Sequence, residues 1–192
     1  MSRFTHTLSA LFISAVAAFA QTAEPSELSL EDNINTPVIA SKQHKTIADK
    51  AGRLASALRS HGMKTSTLRN GEVVLATLPC DTVFAANSTT PKPEAMKRLS
   101  ALREVVAQPA RYKLLVAVHA DDTGDDAYSD SLTEARAGAI DDLLWQLADN
   151  DDTNIVIYGI GKDEPLNDNT TRRERRANRR VEFYIVPLPL KL

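Results

Sequence analysis

The chain has 192 residues, a formal net charge of −2 at pH 7 and 43% hydrophobic residues. This length suits one domain with an N-terminal extension, and the apolar content is sufficient for an ordinary core. The near-neutral charge argues against a nucleic-acid-binding protein, which would carry a basic excess, and against an acidic disordered chain.

The N-terminus has the pattern of a secretory signal peptide. Arg3 precedes an apolar run from residue 8 to residue 19, and Ala18 and Ala20 place small residues where a signal peptidase requires them. The run is shorter than the about 20 apolar residues that a membrane-spanning helix needs. We therefore predict that residues 1–20 are removed and that the mature chain has no transmembrane segment. The alternative is a buried N-terminal helix.

Two segments of different character follow. Residues 21–44 are polar and lack periodicity, which predicts a flexible linker. The apolar residues of the next segment recur at helical spacing; they are Ile47, Ala51, Leu54 and Leu58. An amphipathic helix within residues 45–61 is therefore predicted, with Gly62 as its stop. The segment 45–70 ends in a turn predicted at residues 69–72. Its apolar face could bind a partner protein, but packing on the domain is the favoured interpretation.

The remaining elements alternate between strands and helices. The pattern predicts strands over 73–79, 113–118, 155–158 and 181–186, and helices over 91–107 and 131–148. We assign residues 71–192 to one domain. Its predicted fold class is α/β, a βαβαβ(α)β sandwich with helices packed on one face of a mixed four-stranded sheet.

An arginine interrupts the apolar stripe of the helix predicted over residues 131–148. Arg136 lies one turn after Leu132 and one turn before Ile140. A guanidinium on an apolar face is costly unless an anion meets it or its stem carries the charge to the rim. Its donors fit a carboxylate held at two points. The composition leaves open whether that anion belongs to a ligand or to a nearby aspartate.

Metal and catalytic chemistry are not indicated. Residues 119–130 form an acidic loop, but its spacing does not match an EF-hand, and carboxylates beside a helix N-terminus satisfy the helix dipole. The motifs HExxH, CxxC and GxSxG are absent from the sequence. We expect no metal, no cofactor and no enzymatic activity. Cys80, the only cysteine, has no cation beside it in the sequence, which favours a small buried residue over a redox centre.

An arginine-rich run occupies residues 172–180. Alone, such a run would suggest nucleic acid. The signal peptide and the lack of nearby stacking aromatic residues argue against that partner, so we predict no nucleic-acid binding. A solvated helical face with some anion contacts is the favoured interpretation.

Three linked motifs in this chain resemble the C-terminal domain of the OmpA/MotB family. HADDTG at residues 119–124 resembles the family's GHTDxxG, and LTEARA at 132–137 resembles the second half of NxxLSxxRA. RRANRRVE at 175–182 resembles RxxNRRVE. The likeness covers about residues 72–187, and the common order of the three motifs makes it specific.

This resemblance implies a non-covalent peptidoglycan-binding module in the periplasm, associated with the cell wall or outer membrane. The family's ligand is the stem-peptide residue diaminopimelate, whose free end carries an ammonium and a carboxylate. By the match of motifs, Asp121 would meet the ammonium and Arg136 the carboxylate, while Ala120 would contribute through its backbone. The implied ligand-binding residues are Asp121, Arg136, Asn87, Ala120, Ser129 and Arg179.

The chain departs from the family motif at three positions beside the charged pair. Val118 stands for the motif's Gly, Ala120 for its Thr and Ser129 for its Asn. The alternative function is therefore a degenerate scaffold that keeps the fold but serves as a protein-interaction module in an envelope complex. In that case an envelope partner is expected to bind through residues 45–61.

Overall fold

A computed structural model describes residues 41–148 and 154–189. The predicted signal peptide and most of the predicted linker lie outside the described residues. The last linker residues, 41–44, are instead helical. In the two described ranges, no helix is both long and apolar enough to cross a membrane.

The described chain forms a mixed sheet with its helices on one face. The helices are α1 (Ser41–Ser60), α2 (Ala95–Leu99), α3 (Arg103–Val106), α4 (Asp126–Ala148) and α5 (Arg172–Asn178). The strands are β1 (Lys64–Leu68), β2 (Val73–Pro79), β3 (Tyr112–His119), β4 (Ile155–Gly161) and β5 (Arg180–Pro187). Their order in the sheet is β1-β2-β5-β3-β4, with β3 and β4 parallel and the other pairs antiparallel. The α/β class and the mixed sheet are confirmed, but the sheet has five strands where four were predicted.

The missed strand, β1, is a polar edge strand. Its sequence is KTSTL, and none of its side chains is fully buried. The strand lies at the edge of the sheet and pairs only with β2. Its side chains are exposed or half-buried, and they show no alternation of apolar and polar positions. The turn predicted after it is present, and Arg69 and Asn70 adopt left-handed backbone angles there.

Helix α1 packs on the sheet through its apolar face, as favoured from its sequence. The residues of α1 that enter the main core are Ala51, Leu54, Ala55 and Leu58. Gly62, with φ of 83°, follows the helix, and Met63 N–H donates to the carbonyl of Leu58. A partner at residues 45–61 would therefore meet only the polar side of this helix.

The helix predicted over residues 91–107 is shorter and broken. It starts at Ala95, and a 3-10 turn at Ser100–Leu102 separates α2 from α3. The start is late because Lys92 precedes a proline, which disfavours helical angles. The backbone N–H of Lys92 donates instead to the carbonyl of Val83 at 2.8 Å. The apolar face was predicted correctly, since Ala95, Leu99, Leu102 and Val106 are all buried.

Helix α4 begins five residues before the predicted start at 131. The carboxylate of Asp125 accepts a hydrogen bond from the N–H of Tyr128 at 2.8 Å and so caps the helix. As a result Ser129 lies within the first turns of α4 and is 1% exposed. The cap therefore fixes which side chains of the acidic loop point inward.

The packing of α4 on β4 depends on a glycine. A Cβ atom at Gly159 would lie 2.5 Å from the backbone nitrogen of Glu134, which no side-chain rotation could relieve. We expect Gly159→Ala to lower the free energy of unfolding by about 1–3 kcal/mol, measured by urea denaturation. Gly138→Ala on α4 is the matched control, because a Cβ there meets nothing within 4 Å, and it should stabilise by about 0.5–1 kcal/mol. Equal stability of Gly159→Ala and wild type would contradict this packing.

Candidate functional site

A cleft of about 340 Å³ opens where β3 ends and α4 begins. Its walls are the loop after β2, the loop from β3 to α4, the first turns of α4 and the residue after α5. The six residues implied by the resemblance all line this cleft; they are Asn87, Ala120, Asp121, Ser129, Arg136 and Arg179. The fold thus brings together residues that lie up to 92 positions apart, from Asn87 to Arg179.

Arg136 carries a buried positive charge that faces the cleft. The residue is 4% exposed. Its Nε donates a hydrogen bond to the carbonyl of Ser88 at 2.9 Å, and its guanidinium lies 5.2 Å from the centre of the Phe84 ring. Among the described residues, no carboxylate forms an ion pair with it. The aspartate partner considered from the sequence is therefore not found there, and the charge faces the cleft.

Asp121 is the opposite charge in the cleft, and it is buried with a cation of its own. It is 5% exposed. One carboxylate oxygen accepts a hydrogen bond from Nη1 of Arg179, and the other accepts one from the N–H of Thr123 at 3.2 Å. The Arg179 side chain is 37% exposed, so it can move away from Asp121 more easily than a buried group. An ammonium ligand would share Asp121 with Arg179 or displace it.

The three uncharged predicted residues differ in what they offer. The hydroxyl of Ser129 is buried in the cleft wall and has no hydrogen-bond partner within the described ranges. A buried polar group of this kind usually has a partner, so its position favours a contact with a ligand or water. The N–H of Ala120 already donates to the carbonyl of Gly161 at 2.7 Å. Asn87 is exposed and adopts a left-handed φ of 53°.

Phe84, Lys92 and Tyr128 are among the cleft side chains that the sequence reasoning did not assign to the site. Phe84 is buried beneath Arg136, whereas Tyr128 is 47% exposed. Lys92 Nζ donates to the carbonyl of Asp81 at 2.6 Å. No spacing in the sequence pointed to these residues, because they lie in loops or, for Tyr128, in a helix turn that was predicted as loop.

A buried polar cluster stands behind the cleft at the ends of β3 and β5. Glu182 accepts hydrogen bonds from Nε of Arg180 at 2.7 Å and from the hydroxyl of Tyr184 at 2.6 Å. Nε2 of His119 lies 3.3 Å from the same carboxylate. The ring nitrogen is therefore close to the carboxylate, although the alignment is poor for a hydrogen bond. Burial by itself would raise the pKa of Glu182, but the contacts from His119, Arg180 and Tyr184 outweigh it and lower the pKa to about 2.

Cys80 is buried beside the cleft, as predicted. It is 3% exposed, and its Sγ lies 3.8 Å from the carbonyl of His119. Burial raises the pKa of its thiol to about 11, although the charges of Arg136 and Arg179 act in the opposite direction. The fold places these two cations near Cys80, which the sequence did not indicate. The thiol therefore stays protonated at neutral pH.

The arginine-rich run is only partly a solvated face. Arg172 and Arg173 are exposed, and Arg176 pairs with Asp81 at 2.7 Å. Arg180 departs from the prediction, since it is 3% exposed. It is buried because it starts strand β5, where Glu182 neutralises its charge.

The acidic loop has mainly local roles. Asp125 caps α4, and Asp126 pairs with Lys162 at 2.8 Å. In the part of the chain that the structure describes, no three His, Cys, Asp or Glu side chains are grouped as metal ligands.

Comparison with known proteins places the chain in a family. Residues 83–179 match the sequence model of the OmpA family. The chain belongs to the OmpA family. The matched range contains the cleft-lining residues from Phe84 to Arg179, while Cys80 and Asp81 precede it.

Individual relatives agree with this membership. The chain is 36% identical over 110 residues to outer membrane protein A of Bordetella avium, covering 55% of this chain and 54% of that protein. The chain spans between 30% and 64% of the lengths of six curated relatives that it matches. The envelope location predicted from the sequence agrees with the name of the Bordetella avium relative, outer membrane protein A.

Solved structures share the fold of this OmpA-like domain. The cell wall anchor of the T6SS from Pseudomonas aeruginosa has a TM-score of 0.58 and 25% identity, covering 72% of this chain and 96% of that one. The periplasmic domain of Helicobacter pylori MotB has a TM-score of 0.56 and 20% identity, covering 67% and 83%. The second likeness concerns the fold alone.

Proposed function

We propose that this OmpA-like domain binds peptidoglycan without covalent attachment, through a stem peptide that contains diaminopimelate. The binding would tether the protein to the cell wall in the periplasm. The proposed role is that of a binding module, with no chemical step.

The observation that carries this proposal is the unpaired charge of Arg136. Moving an unpaired cation from water into a protein interior is unfavourable, and a carboxylate held by its guanidinium offsets that cost. Arg136 is 4% exposed, has a single hydrogen bond to a carbonyl and lines an open cleft. A ligand carboxylate is the group that this arrangement lacks.

Asp121 supplies the complementary charge for a zwitterion. Its carboxylate lines the same cleft, and its present partner, Arg179, is partly exposed. A ligand ammonium can therefore replace or supplement Arg179 while the ligand carboxylate meets Arg136. Opposite charges at a fixed separation discriminate a free amino-acid end from a simple anion.

The comparisons support the same ligand class. One structural neighbour is described as a cell wall anchor and is 25% identical to this chain. Another relative is an outer membrane protein of the same family. Both descriptions concern those proteins, and here they favour the wall over other partners of a zwitterion-binding cleft.

Co-sedimentation with insoluble peptidoglycan tests the proposal. We expect the domain to sediment with walls whose stem peptides contain diaminopimelate, and to remain in solution with walls that carry lysine at that position. Lysine lacks the second carboxylate that Arg136 would hold, which makes the two wall types a matched pair. Equal sedimentation with both walls would contradict recognition of diaminopimelate.

The same assay separates the alternative functions. If the domain sediments with neither wall, the interaction scaffold becomes the better interpretation of the OmpA-like fold. Release of soluble fragments from the wall would contradict the non-catalytic part of the proposal.

A further inference from the structure

A second cation lines the cleft and has no acidic partner in the part of the chain that the structure describes. Lys92 lies in the loop between β2 and α2 and lines the cleft. Its Nζ donates to the backbone carbonyl of Asp81, but the carboxylate of Asp81 pairs with Arg176 at 2.7 Å. In the described residues, no side-chain carboxylate pairs with Lys92.

The charges of the cleft are therefore unbalanced. Each lining carboxylate already has an arginine, since Asp81 pairs with Arg176 and Asp121 with Arg179. Arg136 and Lys92 are left as two cations on different walls, one on α4 and the other on the loop after β2. One ligand carboxylate can neutralise only one of them.

Lys92 is also held in place before any ligand arrives. Its backbone N–H donates to the carbonyl of Val83 at 2.8 Å, and its Nζ is fixed by the carbonyl of Asp81 at 2.6 Å. A lysine ammonium has three donors, so two remain for a ligand. The contact with Asp81 positions Nζ at the cleft, which lowers the conformational entropy that an anion must restrict on binding.

From these contacts we propose that the cleft has a second carboxylate site at Lys92, and that its ligand is a stem peptide with two free carboxylates in reach. This inference rests on the proposed function and specifies its ligand. Arg136 takes the carboxylate of the diaminopimelate free end. Lys92 takes a second acid of the same peptide, either the α-carboxylate of the neighbouring glutamyl residue or the C-terminal carboxylate.

A coupling experiment with three soluble muropeptides tests this site. The probes are a disaccharide tripeptide with all carboxylates free, the same compound with the glutamyl α-carboxylate amidated, and the same compound with the C-terminus amidated. Isothermal titration calorimetry gives Kd for wild type and for Lys92→Gln, whose amide can still donate to the Asp81 carbonyl. We expect Lys92→Gln to bind the free form about tenfold more weakly, from the loss of one charged hydrogen bond.

The amidated probes decide between support and rejection. If Lys92 meets a carboxylate, amidating that carboxylate should make the Kd of Lys92→Gln equal to the Kd of wild type. This should happen with one of the two amidated probes and not with the other. If the ratio of Kd values is the same for all three probes, the second site is rejected. Lys97→Gln, an exposed lysine on α2 outside the cleft, is the control and should leave every Kd unchanged. If wild type binds none of the probes, the proposed function fails and this site fails with it.

Discussion

Arg136→Ala should lower the affinity for diaminopimelate-containing muropeptide by about 30-fold to several thousand-fold, which corresponds to about 2–5 kcal/mol. The loss is large because the variant removes the cation that would hold the ligand carboxylate. It also leaves that carboxylate in a cleft with low access to water, since Arg136 is 4% exposed. Calorimetry with the soluble muropeptide measures the change directly.

The folded state should tolerate this substitution. Arg136 has no carboxylate partner among the described residues, so its removal leaves no charge unpaired. Arg136→Lys is an intermediate case, because it keeps the charge but cannot hold a carboxylate at two points. Arg173→Ala, at an exposed position outside the cleft, should bind as wild type does. Wild-type affinity of Arg136→Ala, with its fold verified by circular dichroism, would exclude Arg136 as the carboxylate site.

Glu182→Gln should reduce the free energy of unfolding by about 3–5 kcal/mol. The side chain of Glu182 pairs with that of Arg180, and these side chains are 6% and 4% exposed respectively. Removing the negative charge leaves the buried guanidinium with neutral acceptors, which are the amide oxygen of the variant side chain and the carbonyls of Asn178 and Glu164. Urea denaturation at pH 7, followed by circular dichroism, measures the effect. Glu94→Gln, at an exposed position, is the matched control and should change stability by less than about 0.5 kcal/mol.

The same carboxylate should make the protein sensitive to acid. The pKa of Glu182 is about 2 in the folded state, against 4.5 for an unperturbed glutamate. Because the folded value is the lower one, the stabilisation is complete above pH 4.5 and is lost as the pH falls towards 2. The depressed pKa corresponds to about 3 kcal/mol. In Glu182→Gln this part of the pH dependence should disappear, and an unchanged acid transition would refute the assignment.

These two predictions separate the roles of the charged residues around the cleft. Arg136 has no carboxylate partner within residues 41–148 and 154–189, and it is expected to affect binding more than stability. Glu182 already accepts hydrogen bonds from Arg180 and Tyr184, and its substitution is expected to affect stability more than binding. Its effect on binding would be indirect, through the end of β3 from which the chain continues to Asp121.

Much of the fold could be predicted from the sequence, because strong local patterns coincide with buried elements. Strands β2 to β5 are recognisable as apolar or alternating runs, and α1 shows its inward face in residues 47, 51, 54 and 58. Strand β1 was not predicted because its mostly exposed, polar residues give no apolar pattern. The early start of α4 was not predicted because it depends on one side-chain cap from Asp125.

Within the site, the sequence by itself determined the family. It also predicted the charged pair Asp121 and Arg136 and the four residues that line the cleft with them, because linked motifs carry these identities along the chain. Only the tertiary structure decided which charges are already neutralised. It pairs Asp121 with Arg179 and Asp81 with Arg176, and it leaves Arg136 and Lys92 facing the cleft. The physical reason is that ion pairing depends on distances of a few ångströms between residues far apart in sequence, and those distances are set by how the sheet and α4 pack together.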